Sequence, residues 1–141
     1  MFSMREIYLD HAATTKLRRE VLDSMLPFLT EQYGNPSSIY TLGREAKKAI
    51  DIAKEQVAKA LNAKPNEIFF TGSGTESDNW ALKGIAYANK EKGKHIITTN
   101  IEHHAVLHTC EFLQKEGFDI TYVPVDSEGI VNLDELKKAI R

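Results

Sequence analysis

The chain has 141 residues, the size of one domain, and 18 Lys and Arg stand against 20 Asp and Glu for a formal net charge of −2. That length buries a core without disulfide or metal staples, and the near-balanced charge provides no global basic field for a nucleic-acid backbone. Charged residues at 27% and apolar residues at 42% exclude a disordered or collagen-like chain.

In chain order, the first residues, Met1-Phe2-Ser3-Met4-Arg5-Glu6, carry no apolar leader, and no later run reaches the roughly 18 apolar residues of a spanning helix. No membrane association is therefore expected. Ile7-Tyr8-Leu9 reads as a short strand, ended by the polar run Asp10-His11-Ala12-Ala13-Thr14-Thr15. A helix is predicted from about Arg18, with Val21, Leu22, Met25, Leu26 and Leu29 on one face and Gly34-Asn35-Pro36 punctuating its end. Over 43–61 the apolar positions Ala46, Ala49, Ile50, Ala53, Val57, Ala60 and Leu61 keep helical spacing.

Beyond Pro65, residues 67–71 form a brief apolar run of strand formers and are predicted as a buried strand. A helix over 75–92 then ends at Gly93, 95–99 is a strand, a helix over 104–116 ends at Gly117, and 119–125 is a third strand. A last helix covers 133–140, behind Asn132 and Glu135 in capping-box spacing. Strands alternating with helices predict an α/β fold with a mainly parallel sheet and helices on both faces. Three parallel strands with two open edges make a poor complete domain, so a piece of something larger is expected.

The segment Thr71-Gly72-Ser73-Gly74-Thr75-Glu76-Ser77 places glycines between a predicted strand and a predicted helix. First-turn amides and the helix dipole attract an anion, glycines let a phosphate approach the backbone, and the hydroxyls of Ser73, Thr75 and Ser77 add donors. The bland reading of the same residues is a helix start, with Ser73 as cap and Glu76 completing a capping box. A Walker A lysine is missing, since the nearest downstream lysine is Lys83. A dinucleotide fingerprint fits in part through Gly72, Gly74 and Glu102, and stays open as a rival.

His103 and His104 follow the strand at 95–99, at the carboxyl end where ligands sit in open α/β sheets, so the two loops are expected to converge on one pocket. An imidazole there can act as acid or base or stack on an aromatic ring. Both histidines also read as solvated residues of a helix start. His104 and His108 share i, i+4 spacing, yet HExxH is absent and no third ligand is evident, so no metal is expected. The lone Cys110 lies on the helical face of Val106 and Leu113 and reads as a small buried hydrophobe in a reducing, cytoplasmic chain.

Taken together, Tyr8-Leu9-Asp10-His11-Ala12-Ala13-Thr14-Thr15, Gly34-Asn35-Pro36-Ser37-Ser38, Leu42-Gly43-Arg44-Glu45-Ala46, Phe70 to Asn79 and Glu102-His103-His104-Ala105-Val106 resemble the cysteine desulfurases of the NifS/IscS type. These are aspartate-aminotransferase-like, fold type I pyridoxal phosphate enzymes. The resemblance implies a three-layer fold, with 1–42 as an N-terminal arm and helix and 43–141 as a partial cofactor-binding large domain. It implies that Gly74 and Thr75 hold the phosphate of pyridoxal 5'-phosphate, and that His103 stacks on the pyridine ring and assists proton transfer.

It further implies L-cysteine as substrate, with sulfur passing to an enzyme cysteine as a persulfide, alanine leaving, and a sulfur-acceptor or scaffold protein receiving the sulfur for iron-sulfur cluster or thiocofactor assembly. A homodimer or a complementing C-terminal chain is implied as well. The family's usual Ser-Gly-Ala/Gly-Thr order appears here as Gly72-Ser73-Gly74-Thr75, and His11 stands where asparagine is frequent. The family's Ser-x-His-Lys segment does not occur in the 141 residues. The expectation is therefore an N-terminal portion of a longer or split enzyme, inactive alone. Alternatives are another fold type I enzyme, such as a selenocysteine lyase or an aminotransferase, or a non-catalytic dinucleotide-binding or scaffold fragment.

Overall fold

A computed structural model describes residues 7–141, so the first six residues of the predicted arm lie outside the described residues. The chain divides into two compact units, Met1–Phe69 and Phe70–Arg141.

In the first unit, helix α1 spans Arg19–Thr30 and helix α2 spans Thr41–Leu61. None of the residues of α1 is buried, and its apolar face of Val21, Leu22, Met25, Leu26 and Leu29 is exposed. Between the helices the chain folds tightly, and a Cβ added at Gly43 would lie 2.6 Å from the Asn35 carbonyl oxygen. Only glycine fits that crossing. The Arg44 guanidinium fastens the same loop by donating to the Ile39 carbonyl (2.6 Å) and the Thr41 hydroxyl (3.2 Å). Helix α2 ends at Asn62, whose left-handed φ of 54° suits an amide side chain. A single 3₁₀ turn, Pro65–Glu67, follows.

Two predicted strands are not formed. Residues 67–71 run from the 3₁₀ turn into extended backbone, and residues 7–9 are irregular, with Ile7 70% and Leu9 82% exposed. A strand is defined by its ladder partner, and neither segment has one among the described residues. Ile68 is nonetheless buried, while Phe69 and Phe70 are exposed.

The second unit carries α3 (Gly74–Asn89), β1 (His95–Thr99), α4 (His104–Lys115), β2 (Asp119–Val123) and α5 (Leu133–Ala139). Strands β1 and β2 pair in parallel with His95 opposite Asp119 and Thr99 opposite Val123, so the fold is α/β with a parallel pair where three parallel strands were expected. The last strand stops at Val123 because Pro124 has no amide to donate; Val125 instead bridges Val131 around a turn held by Asp126. Helix α5 starts where Asn132 Oδ1 accepts from the amides of Asp134 (3.1 Å) and Glu135 (3.2 Å). Across the pair, His95 Nε2 meets the Thr121 hydroxyl at 2.8 Å, and Arg141 pairs with Asp119.

The core of this unit is Ala86 from α3, Cys110 and Leu113 from α4, Phe118 and Ile120 of and before β2, with Ile96 and Val106 packed against it. Tyr87 meets the Phe118 ring edge-on at 6.0 Å. Helices α4 and α5 both pack on β2, and α3 packs on α4. No helix among the described residues is long and apolar enough to cross a membrane.

Cys110 has no exposed surface, and burial, followed by the negative charge of Glu102, pushes its thiol pKa above the ordinary value. A raised pKa means that the folded chain binds the proton more tightly than the unfolded one. Its stabilising contribution is complete below the ordinary thiol pKa and is lost as pH rises through the higher folded value. Iodoacetamide labelling of the native chain is accordingly expected to stay slow at about pH 8.5 and to become fast on unfolding. The urea midpoint should fall between about pH 8.5 and 10 by more than it does in Cys110→Ala; equal falls would contradict the assignment.

Candidate functional site

The site begins at the start of α3. Ser73 is extended at φ −165°, and its Oγ accepts the Glu76 amide at 3.2 Å. Glu76 turns back, and its Oε2 accepts the Gly72 amide at 2.7 Å. The capping reading of this segment is thus realised, with the carboxylate one residue upstream of the usual target. It does not consume the turn. The amides of Gly74 and Thr75 have no acceptor among the described residues, as first-turn amides of a helix do not find one within it.

The three hydroxyls expected as donors differ in availability. Ser73 is the cap, and Ser77 Oγ is held by the Thr71 hydroxyl at 2.6 Å and the Ser73 carbonyl at 3.3 Å. The Thr75 hydroxyl alone has no partner among the described residues. A Cβ at Gly74 would meet nothing within 4 Å, so the backbone there faces open space. Two amides, one hydroxyl able to donate and the positive end of the helix dipole make a set that suits a phosphate dianion. The Glu76 carboxylate turns back to the Gly72 amide through Oε2.

His103 is the N-cap of α4, and its Nδ1 accepts the Ala105 amide at 3.1 Å. With Nδ1 occupied as an acceptor, the proton of the neutral ring sits on Nε2, which points away from the cap. His104 and His108 stack at 5.1 Å with planes 24° apart, and His103 lies 6.2 Å from His104. No group of three or more His, Cys, Asp or Glu that could hold a metal ion exists among the described residues. Glu102, the residue that a dinucleotide site would use on a ribose, accepts the Thr99 hydroxyl at 2.9 Å.

The relation between the two helix starts follows from their cross-contacts. The buried Thr109 hydroxyl donates to Asn79 Oδ1 at 2.9 Å, the Lys83 ammonium lies over the Phe112 ring at 4.6 Å, and Ala86 shares its core with Leu113. Contact positions rise together along both helices, so α3 and α4 run in the same direction. Asn79 is five residues past Gly74, and Thr109 is five past His104. The Asn79–Thr109 bond joins the N-terminal halves of the two helices. Gly74, Thr75 and His103 therefore share one end of the helix layer. An apolar groove of about 220 Å³, lined by Leu82, Ile85, Asn89, His95 and Phe118 among others, lies toward the other end of α3 and includes none of them.

What sequence reasoning missed is Asn79 with Thr109. Each is an ordinary polar residue inside a helix, and only their separation of 30 positions, closed by packing, makes them a pair.

The same stretches recur in known proteins. The chain is 62% identical over 136 residues to a protein of Clostridium botulinum (strain Kyoto / Type A2) named cysteine desulfurase IscS, covering 96% of this chain and 34% of that one. A solved structure titled NifS-like protein superimposes with a TM-score of 0.92 at 47% identity, over 96% of this chain and 37% of that one. Another, titled SspA in complex with cysteine, gives a TM-score of 0.88 at 41% identity, over 95% and 39%. The chain spans about a third of the length of the curated relatives it matches. The sequence pattern of Aminotransferase class-V runs through residues 7–141, taking in both helix starts and both parallel strands, and the chain belongs to that family.

Proposed function

We propose that this chain forms the phosphate- and ring-binding part of a pyridoxal 5'-phosphate-dependent cysteine desulfurase, which converts L-cysteine to L-alanine and passes the sulfur on as an enzyme persulfide. The observation that supports the reading is a pair of helix starts at the same end of the packed helices α3 and α4, one offering free amides and the other an imidazole. The high identity to proteins named cysteine desulfurase supports the activity, and the cysteine-bound neighbour supports the substrate.

In this reading the Gly74 and Thr75 amides and the Thr75 hydroxyl bind the cofactor phosphate and fix its orientation. When bound, pyridoxal phosphate supplies the electron sink for bond cleavage at the amino acid. The His103 ring covers the pyridine face and presents its proton at Nε2. Because Nδ1 is committed to the Ala105 amide, His103 donates through Nε2, and a second proton at Nδ1 would cost the cap of α4. Recipients of the sulfur are a sulfur-acceptor or scaffold protein, and the assembly is a homodimer or a pairing with a complementing chain. The single buried thiol supports a reducing compartment, the cytoplasm.

Three outcomes test this. In amide-resolved NMR, pyridoxal phosphate is expected to shift the Gly74 and Thr75 amides while pyridoxal without its phosphate does not; equal responses would remove the phosphate cup. His103→Ala should destabilise the chain by about 1 kcal/mol through the lost cap, whereas His103→Asn keeps the cap. Both variants should lose the perturbation of the cofactor's absorbance, and retention of that signal in either refutes the stacking role. Finally, the 141 residues mixed with pyridoxal phosphate and L-cysteine should release no sulfide, because they contain no Ser-x-His-Lys lysine; steady sulfide release would overturn that part of the reading.

A further inference from the structure

The carboxamide of Asn79 joins two places that are distant in sequence. Its Nδ2 donates to the Thr75 carbonyl at 3.0 Å, and its Oδ1 accepts from the Thr109 hydroxyl at 2.9 Å. Thr109 is 3% exposed, so its hydroxyl is paid for by this bond. One side chain thus touches the first turn of α3 at Thr75, the residue whose amide and hydroxyl remain open. At its other end it holds α4 at the sixth residue of the helix that His103 caps. Apolar contacts among Ala86, Cys110, Leu113 and Phe118 keep the helices together, but the hydrophobic term itself carries no direction. A hydrogen bond has both length and angle, and here it lies on the site side of that core.

We propose that Asn79 and Thr109 are positioning residues that set the level of His103 against the Gly74–Thr75 turn. A phosphate held at one helix start and a ring covered at the other then belong to one rigid ligand. The inference rests on the proposed cofactor site. Asn79 acts through Thr75, and Thr109 acts through the register of α4.

The test compares Thr109→Val, which keeps the shape and removes the donor, with Thr109→Ser, which keeps the donor, and with Asn79→Ala and the Asn79→Ala/Thr109→Val pair. Two readouts are taken on the 141-residue chain: amide exchange at Ser77, whose amide donates to the Ser73 carbonyl at 3.1 Å, and at Ala105 without ligand, and pyridoxal phosphate affinity. Thr109→Val is expected to speed exchange at both helix starts and to weaken affinity about three- to tenfold, the worth of one hydrogen bond. Thr109→Ser should restore both, and the double variant should be no worse than either single one.

Should Thr109→Val not fold, Asn79→Ala against Thr109→Ser reads the same bond. Equal behaviour of the valine and serine variants, or fully additive effects of the two sites, overturns the inference. If the parent chain shows no response to pyridoxal phosphate, the proposed cofactor site fails, and the exchange readout still decides whether the bond sets the register.

Discussion

Parallel pairing of β1 with β2 imposes the rest of the second unit. Two parallel strands cannot be joined by a hairpin, so the chain must return along the sheet, and α4 is that return. Its N-terminus then falls at the carboxyl end of β1. Helix α3 packs on α4 and runs with it, which brings a second helix N-terminus to the same end. Two unsatisfied helix starts side by side concentrate positive potential and hydrogen-bond donors in one place without a single lysine or arginine. The site is in this sense a by-product of topology, refined by the polar residues that cap it.

Those caps divide the labour. Ser73 and Glu76 neutralise the outer part of the α3 turn, and Ser77 ties Thr71 to the Ser73 carbonyl, so the turn is rigid before any ligand arrives. What stays open is narrow: two amides and one hydroxyl. At α4 the cap is the ring itself, which makes the orientation of His103 part of the helix's own hydrogen bonding. Preorganisation of this kind lowers the entropy lost when a ligand binds.

Much of this was legible in the sequence. The helix spacing over 43–61, the glycine stops at 93 and 117, and the run of Ile and Thr over 95–99 report local physics, and each element formed close to its expected bounds. Residues 67–71 and 7–9 did not form strands, because strand formation depends on a partner that local composition does not supply. The end of β2 depended on the missing amide of Pro124. At the site, glycines and histidines were visible as types, and the capping reading of 72–77 formed with its carboxylate on the Gly72 amide, leaving the Gly74 and Thr75 amides open. The bond between Asn79 and Thr109 was hidden because it is a property of packing between helices, and the helices themselves carry no sign of it.

A helix start that offers main-chain amides has little stake in the spelling of its residues. Gly72-Ser73-Gly74 departs from the order that the desulfurase resemblance leads one to expect, yet α3 still begins at Gly74 and the space in front of it is empty. The changed order therefore leaves the starting point of the helix, and with it the direction of its open amides, where it is, and a search that insists on one fixed string would pass over such a chain.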